Sequence, residues 1–240
     1  MNPLASRRSF LIAPAIVLAS AAVLLLFWSA LPPERVVALV DDGGFSFLEV
    51  MTLPLFALIV PLVWLCPPAS GPARRQAFWS SVWSLLAVMA VVRQTDLHKI
   101  LFARIWPAVA AGFKGTVFKM RFLRADDVPF APKVFVFVFF VLFFAAVVVP
   151  LVRYLVRLFK GFFRFEPVAW TMAAFCAWST GVLVVDRLPS KLRHAGVALS
   201  DGALALMKTF EEGGEAVMAL LALLAVLQSY LWYNCRNENN

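Results

Sequence analysis

Residues 134–152, VFVFVFFVLFFAAVVVPLV, hold no charged and no polar side chain. A helix that crosses the hydrocarbon core of a bilayer needs about 20 mostly apolar residues, and this run meets that need. In lipid every backbone N–H and C=O must find its partner inside the protein. A Phe- and Val-rich run that would suit a strand in water is therefore expected as helix. An outer-membrane barrel calls for shorter segments of alternating polarity, a pattern foreign to this sequence. The rest of the chain follows suit, with 62% hydrophobic and 15% charged residues. A soluble domain carries about one quarter charged residues, so a water-facing surface cannot be built from this inventory.

Six stretches are long and apolar enough to span, or nearly so: residues 10–31, 45–66, 78–97, 134–152, 167–185 and 215–233. The expected fold is all-α, a polytopic membrane protein forming one transmembrane domain over residues 1–240. Six helices make the bundle, and an interfacial or re-entrant segment, 98–133, joins the third and fourth. Proline marks several ends (Pro32, Pro33, Pro67, Pro68, Pro132, Pro167 and Pro189), while Pro54 and Pro61 fall inside the second run, where neighbouring helices tolerate them. The closing RNENN reads as a frayed end.

The formal charge of +8 does not point to nucleic acid, because the basic residues lie in short clusters between apolar runs. Anionic lipid headgroups explain that placement, so membrane lipids are the expected partners, with room for further membrane subunits. Cys66, Cys176 and Cys235 lie in or beside apolar runs and suggest neither a disulfide framework nor a zinc site. SRRSFL, residues 6–11, matches part of the twin-arginine export pattern. No small-x-small cleavage site closes the apolar run before Pro32, and the Arg pair reads instead as a cytoplasmic anchor of the first helix. GPARRQ and RYLVRLFKGFFR, short and basic, place both termini in the cytoplasm of a bacterial inner membrane.

That orientation gathers most acids, and both histidines, at the outer, periplasmic face. Arg93 and Asp96 stand three residues apart near the outer end of the third helix, and Lys99 continues the face. Glu49 occupies the matching level of the second helix, and Asp186 with Arg187 closes the fifth. In KTFEEGGEAVM, Glu211 and Glu215 share one helical face, with Glu212 beside them and Gly213 and Gly214 permitting close helix approach. Intramembrane ionisable groups are costly and tend to mark function. Asp96, His98, Glu211 and Glu215 are the candidate acids, bases or metal ligands, with Glu49, Asp186 and Glu212 in support. Arg93, Lys99, Lys119, Arg121 and Arg187 are the candidate grip on a phosphate, or partners for the glutamates. Lys114 and Arg124 read as snorkelling anchors.

Known motifs fail to place the chain. No H-E-x-x-H is present. EEGGE resembles the paired glutamates of the CAAX-type membrane proteases, without the histidines that accompany them. The P-S-G-H segment of acid-phosphatase-type lipid phosphatases is absent. The sequence names neither cofactor nor metal. Three functions are expected to compete: a site that binds and processes an anionic lipid headgroup, a proton- or cation-coupled transporter, and a non-catalytic membrane subunit or scaffold.

Overall fold

The computed structural model describes residues 6–40, 47–68, 72–112, 120–126 and 128–237. Among these residues there are helices and turns but no strand. A 3-10 turn, Arg7–Leu11, leads into α1 (Ile12–Ala30). Then come α2 (Pro33–Val40), α3 (Phe47–Leu65) and α4 (Ala73–Gln94). Three short helices follow, α5 (Leu97–Ile105), α6 (Pro107–Gly112) and α7 (Met120–Arg124). The chain ends with α8 (Phe130–Phe143), a π turn (Phe144–Val148), α9 (Val149–Phe163), α10 (Pro167–His194) and α11 (Asp201–Asn237).

Five helical stretches among the described residues are long and apolar enough to cross a membrane: Arg8–Ala30, Ala73–Gln94, Phe130–Val148, Pro167–His194 and Asp201–Trp232. The apolar part of α3, Val50–Leu65, is shorter. The connection expected at the interface folds in part as α5, α6 and α7, of nine, six and five residues, each too short to span. The π turn sits where the helix must accommodate Pro150, whose missing N–H and bulky ring disturb the regular i to i−4 ladder.

The chain forms two compact units, Met1–Val88 with Leu158–Asn240, and Met89–Arg157. In the first, α11 is the central element and packs against α1, α2, α3 and α10. Its sequence dictates that place. Val217, Ala219, Leu221, Ala222, Leu224, Ala225 and Val226 are all buried, and at helical spacing they cover more than half of the circumference, leaving a narrower strip along Leu220, which is 40% exposed. A helix with so wide an apolar face is covered by others along most of its surface. By contrast, α1 leaves Leu18, Val23, Leu25 and Leu26 exposed on its outer side. The α1–α10–α11 seam closes on Ala13, Val217, Leu221 and Leu224. A second cluster joins Val36 and Val40 of α2 to Ala205 of α11.

Side-chain donors tie the helices at fixed levels. Gln228 of α11 is fully buried; its Oε1 accepts from the Thr171 hydroxyl of α10 at 2.6 Å, and its Nε2 donates to the Ser9 carbonyl at 3.3 Å. The Trp28 indole donates to the Gly202 carbonyl at 3.0 Å. Between α3 and α4 the Ser80 hydroxyl donates to the Val63 carbonyl at 2.6 Å, and Trp64 to the Ser84 hydroxyl at 3.1 Å. The second unit has its own small core, Phe102, Phe122, Val128 and Val136, with the Phe102 and Phe122 rings edge to face at 5.5 Å.

Thr171→Val keeps the shape of the side chain but leaves the buried Gln228 carbonyl without that donor. It is expected to cost about 1–3 kcal/mol, read as a lower melting temperature in detergent, whereas Thr180→Val on the exposed side of α10 leaves the melt unchanged.

Candidate functional site

The polar turn of α11 owes its setting to two glycines. A Cβ on Gly213 would overlap the Leu24 side chain of α1, and one on Gly214 would overlap Val182 of α10. In water this pair weakens a helix; between packed helices it lets α1 and α10 close on α11 from two sides. Trp178 of α10 adds a directional contact, its indole N–H donating to the Gly214 carbonyl at 3.0 Å.

Around this turn stand the charges. Glu215 is buried, 7% exposed, inside the packed helix group. Glu211 is paired with Lys208 one turn earlier, Nζ to Oε2 at 3.0 Å, with 33% of the lysine and 17% of the glutamate side chain exposed. Lys208, Asp186 and Glu215 all lie within electrostatic reach of Glu211. Glu212 is half-buried on the same turn. The partner expected from distant bases is thus supplied, for Glu211, by a lysine of its own helix at i−3. The sequence carried that signal in KTFE, and Asp186 and Glu215 lie close enough to act on Glu211 electrostatically.

Asp186 and Arg187 are exposed and lie within α10, which runs on through Pro189 to His194 rather than stopping at residue 185. Pro189 removes one hydrogen bond without ending the helix, and Lys191, Arg193 and His194 suit the negative end of the helix dipole. His194 is therefore the last residue of a helix and not part of a loop.

The Arg93–Lys99 stretch belongs to the second unit and is built differently from the expectation of one continuous face. α4 ends at Gln94, and Asp96 takes a left-handed conformation (φ 51) as N-cap of α5, so the helix breaks between Arg93 and Lys99. Lys99 and Asp96 form an ion pair at 2.6 Å, with 52% and 55% of their side chains exposed. His98 sets Nδ1 at 3.3 Å from the Val92 carbonyl. Arg93 is exposed, and the neighbouring Gln94 buries an amide nitrogen that finds no hydrogen-bond partner among the described residues. Lys119 lies outside the described residues; Arg121 in α7 and Glu49 in α3 are placed as backbone, and their side chains fall outside the description. Among the described residues no three His, Cys, Asp or Glu side chains come together as a metal-ligand set.

An apolar groove of about 610 Å³ runs beside the polar turn, between α1, α10 and the chain around Phe162 and Phe210. Its floor is the small-residue row Ala173, Ala177 and Gly181 of α10. Sequence reasoning missed this row, although its four-residue spacing was visible. Comparison with protein-family models, curated proteins and solved structures finds no match to the chain. What fold and site define is a class: an all-helical protein with several helices able to cross a membrane, and an acidic turn enclosed within its main unit.

An exposed pair such as Asp96–Lys99 gains little from its charges. A double-mutant cycle with Asp96→Asn and Lys99→Met is expected to give a coupling below about 1 kcal/mol, falling with added salt.

Proposed function

We propose that the chain is a six-span protein of a bacterial inner membrane, with both termini cytoplasmic, and that the α11 turn is the proton- or cation-binding site of a coupled carrier. The observation that carries this reading is the buried Glu215 carboxyl, 7% exposed, on the helix that four others enclose. Taking a carboxylate out of water costs on the order of several kcal/mol unless a cation or a proton compensates it. Membrane proteins keep such groups where they bind and release one or the other.

The balance of charge separates the candidate ligands. An anionic headgroup calls for a surplus of basic donors. The groups that act on Glu211 are one lysine and two carboxylates, which suits a positive ligand instead. Arg187, the basic residue of α10 nearest to Asp186 in sequence, is exposed rather than turned into an enclosed site. Glu211 and Glu215 are therefore the proposed relay, Lys208 the resident counter-charge, and Asp186 the acid nearest the outer surface.

Two features support the topology. The short basic segments Arg74–Arg75 and Arg153–Arg164 fall on one side if every long helix crosses. α3, with 19 residues, would reach about 28 Å at 1.5 Å per residue, close to the hydrocarbon thickness of about 30 Å.

Two experiments test these points separately. In the reconstituted protein, pH-difference infrared spectra should contain a carboxylic C=O band that Glu215→Gln or Glu211→Gln removes or shifts. If both variants leave the spectrum unchanged and only lower the melting temperature, the glutamates serve packing and the carrier reading is wrong. For topology, green fluorescent protein fused after Asn240 should fluoresce, and alkaline phosphatase fused there should be inactive. The opposite pair of results would place the C-terminus outside and overturn the proposed topology.

A further inference from the structure

We infer that the groove beside the acidic turn binds a lipophilic cation, an organic amine or onium ion whose hydrocarbon body lies along α10 and whose charge sits at the Glu211 end. The inference rests on the reading of Glu211 and Glu215 as the coupling site, and names the substrate class of that site.

Three independent features of the groove converge on this ligand. The first is space. Ala173, Ala177 and Gly181 leave the floor low, and a Cβ placed on Gly181 would meet nothing within 4 Å. Ala177 and Gly181 are exposed, so in a bilayer the groove opens toward the acyl chains, from which an amphiphile would enter. A volume of about 610 Å³ lies within the range of small-molecule sites, about 300–1,000 Å³.

The second is the wall. Trp170 and Phe162 stack with centroids 4.4 Å apart at one end, and Trp178 meets Phe210 at 6.4 Å toward the other. Both tryptophan N–H groups are already committed, Trp170 to the Phe162 carbonyl and Trp178 to that of Gly214, each at 3.0 Å. What these residues offer a ligand is ring surface, and the faces of aromatic rings attract cations, Trp most strongly.

The third is charge. The groove is lined throughout by apolar residues, but two of them, Val185 and Phe210, directly precede Asp186 and Glu211 in the chain. These two carboxylates lie within electrostatic reach of each other, and 17% of the Glu211 side chain is exposed. An apolar, aromatic trough whose lining residues Val185 and Phe210 are followed in the chain by Asp186 and Glu211, where two carboxylates besides Glu211 outnumber the one lysine, Lys208, is complementary to a hydrophobic body with a positive centre. It is anti-complementary to a fatty acid or phosphate monoester of the same bulk. A neutral acyl chain would fill the trough without using the acids at all.

The test uses two ions of the same shape and opposite charge, tetraphenylphosphonium and tetraphenylborate, with the full chain in detergent and empty micelles as background. Saturable binding of the phosphonium, and none of the borate, is expected. Ala177→Trp fills the groove from its open side, where an added side chain disturbs no packed core, and should weaken phosphonium binding at least about tenfold, while Ala177→Ser should not. Glu211→Gln should weaken it about tenfold through the lost charge. Equal binding of both ions, or no saturable binding of either, overturns the inference, as does a wild-type affinity in Ala177→Trp. The carboxyl infrared band provides the separation from the coupling reading. Should the band titrate normally while the phosphonium fails to bind, the substrate class is wrong and the coupling site stands. If the phosphonium binds as described but no band titrates, the groove is a cation site without proton coupling.

Discussion

Enclosure of α11 is the constraint on which the main unit depends. Between Val217 and Val226 it buries more than half of its circumference, leaving Leu220 exposed, and flanking helices on several sides are needed to satisfy so wide a surface. α1, α2, α3 and α10 supply them. Apolar attraction does not explain the arrangement within lipid, where hydrocarbon tails are as apolar as leucine; close packing and directed hydrogen bonds must do so. Gly213 and Gly214 provide the close packing, since any Cβ there would meet Leu24 or Val182. Trp28, Trp178 and Gln228 provide the directed bonds, at three levels along α11.

The same enclosure creates the candidate site. Glu211, Glu212 and Glu215 flank the two glycines, so the turn that permits close approach also carries carboxylates into the helix group. A packing role alone would be met by any small apolar turn. Placing Glu215 where it is 7% exposed works against stability unless a counter-charge or proton accompanies it. Lys208 partly answers Glu211. Asp186 and Glu215 keep the surroundings of Glu211 weighted toward acid, and that excess gives the neighbouring aromatic groove a preferred sign of ligand. Position, charge and groove thus derive from one short segment, residues 208–215.

Much of this was legible in the sequence, for identifiable reasons. Long uncharged runs can be satisfied in lipid only as helices, so α1, α8, α10 and α11 were readable from composition along the chain. The Gly213–Gly214 pair and the shared face of Glu211 and Glu215 follow from helical spacing. Other features depended on information that spacing does not hold. Asp96 looked like the continuation of a helix, yet it occupies a left-handed junction between α4 and α5, a backbone choice that spacing along the sequence does not encode. Pro189 looked like a stop, but the polar residues beyond it remain helical. Thr171 and Gln228 are 57 positions apart, and nothing local marks either as the other's partner. The groove was half visible: Ala173, Ala177 and Gly181 repeat every four residues, but whether such a row is filled by a neighbour or left open is a tertiary fact.

Oxygen accessibility of nitroxide labels placed singly along residues 213–229 in bilayers addresses the enclosure of α11 most directly. Low accessibility at positions 215, 221 and 225, with the accessible crest at 220, is the expected result. Position 215 as accessible as 220, or on the lipid-facing crest itself, would contradict the burial of Glu215 and would remove the physical basis for both the acidic site and the groove beside it.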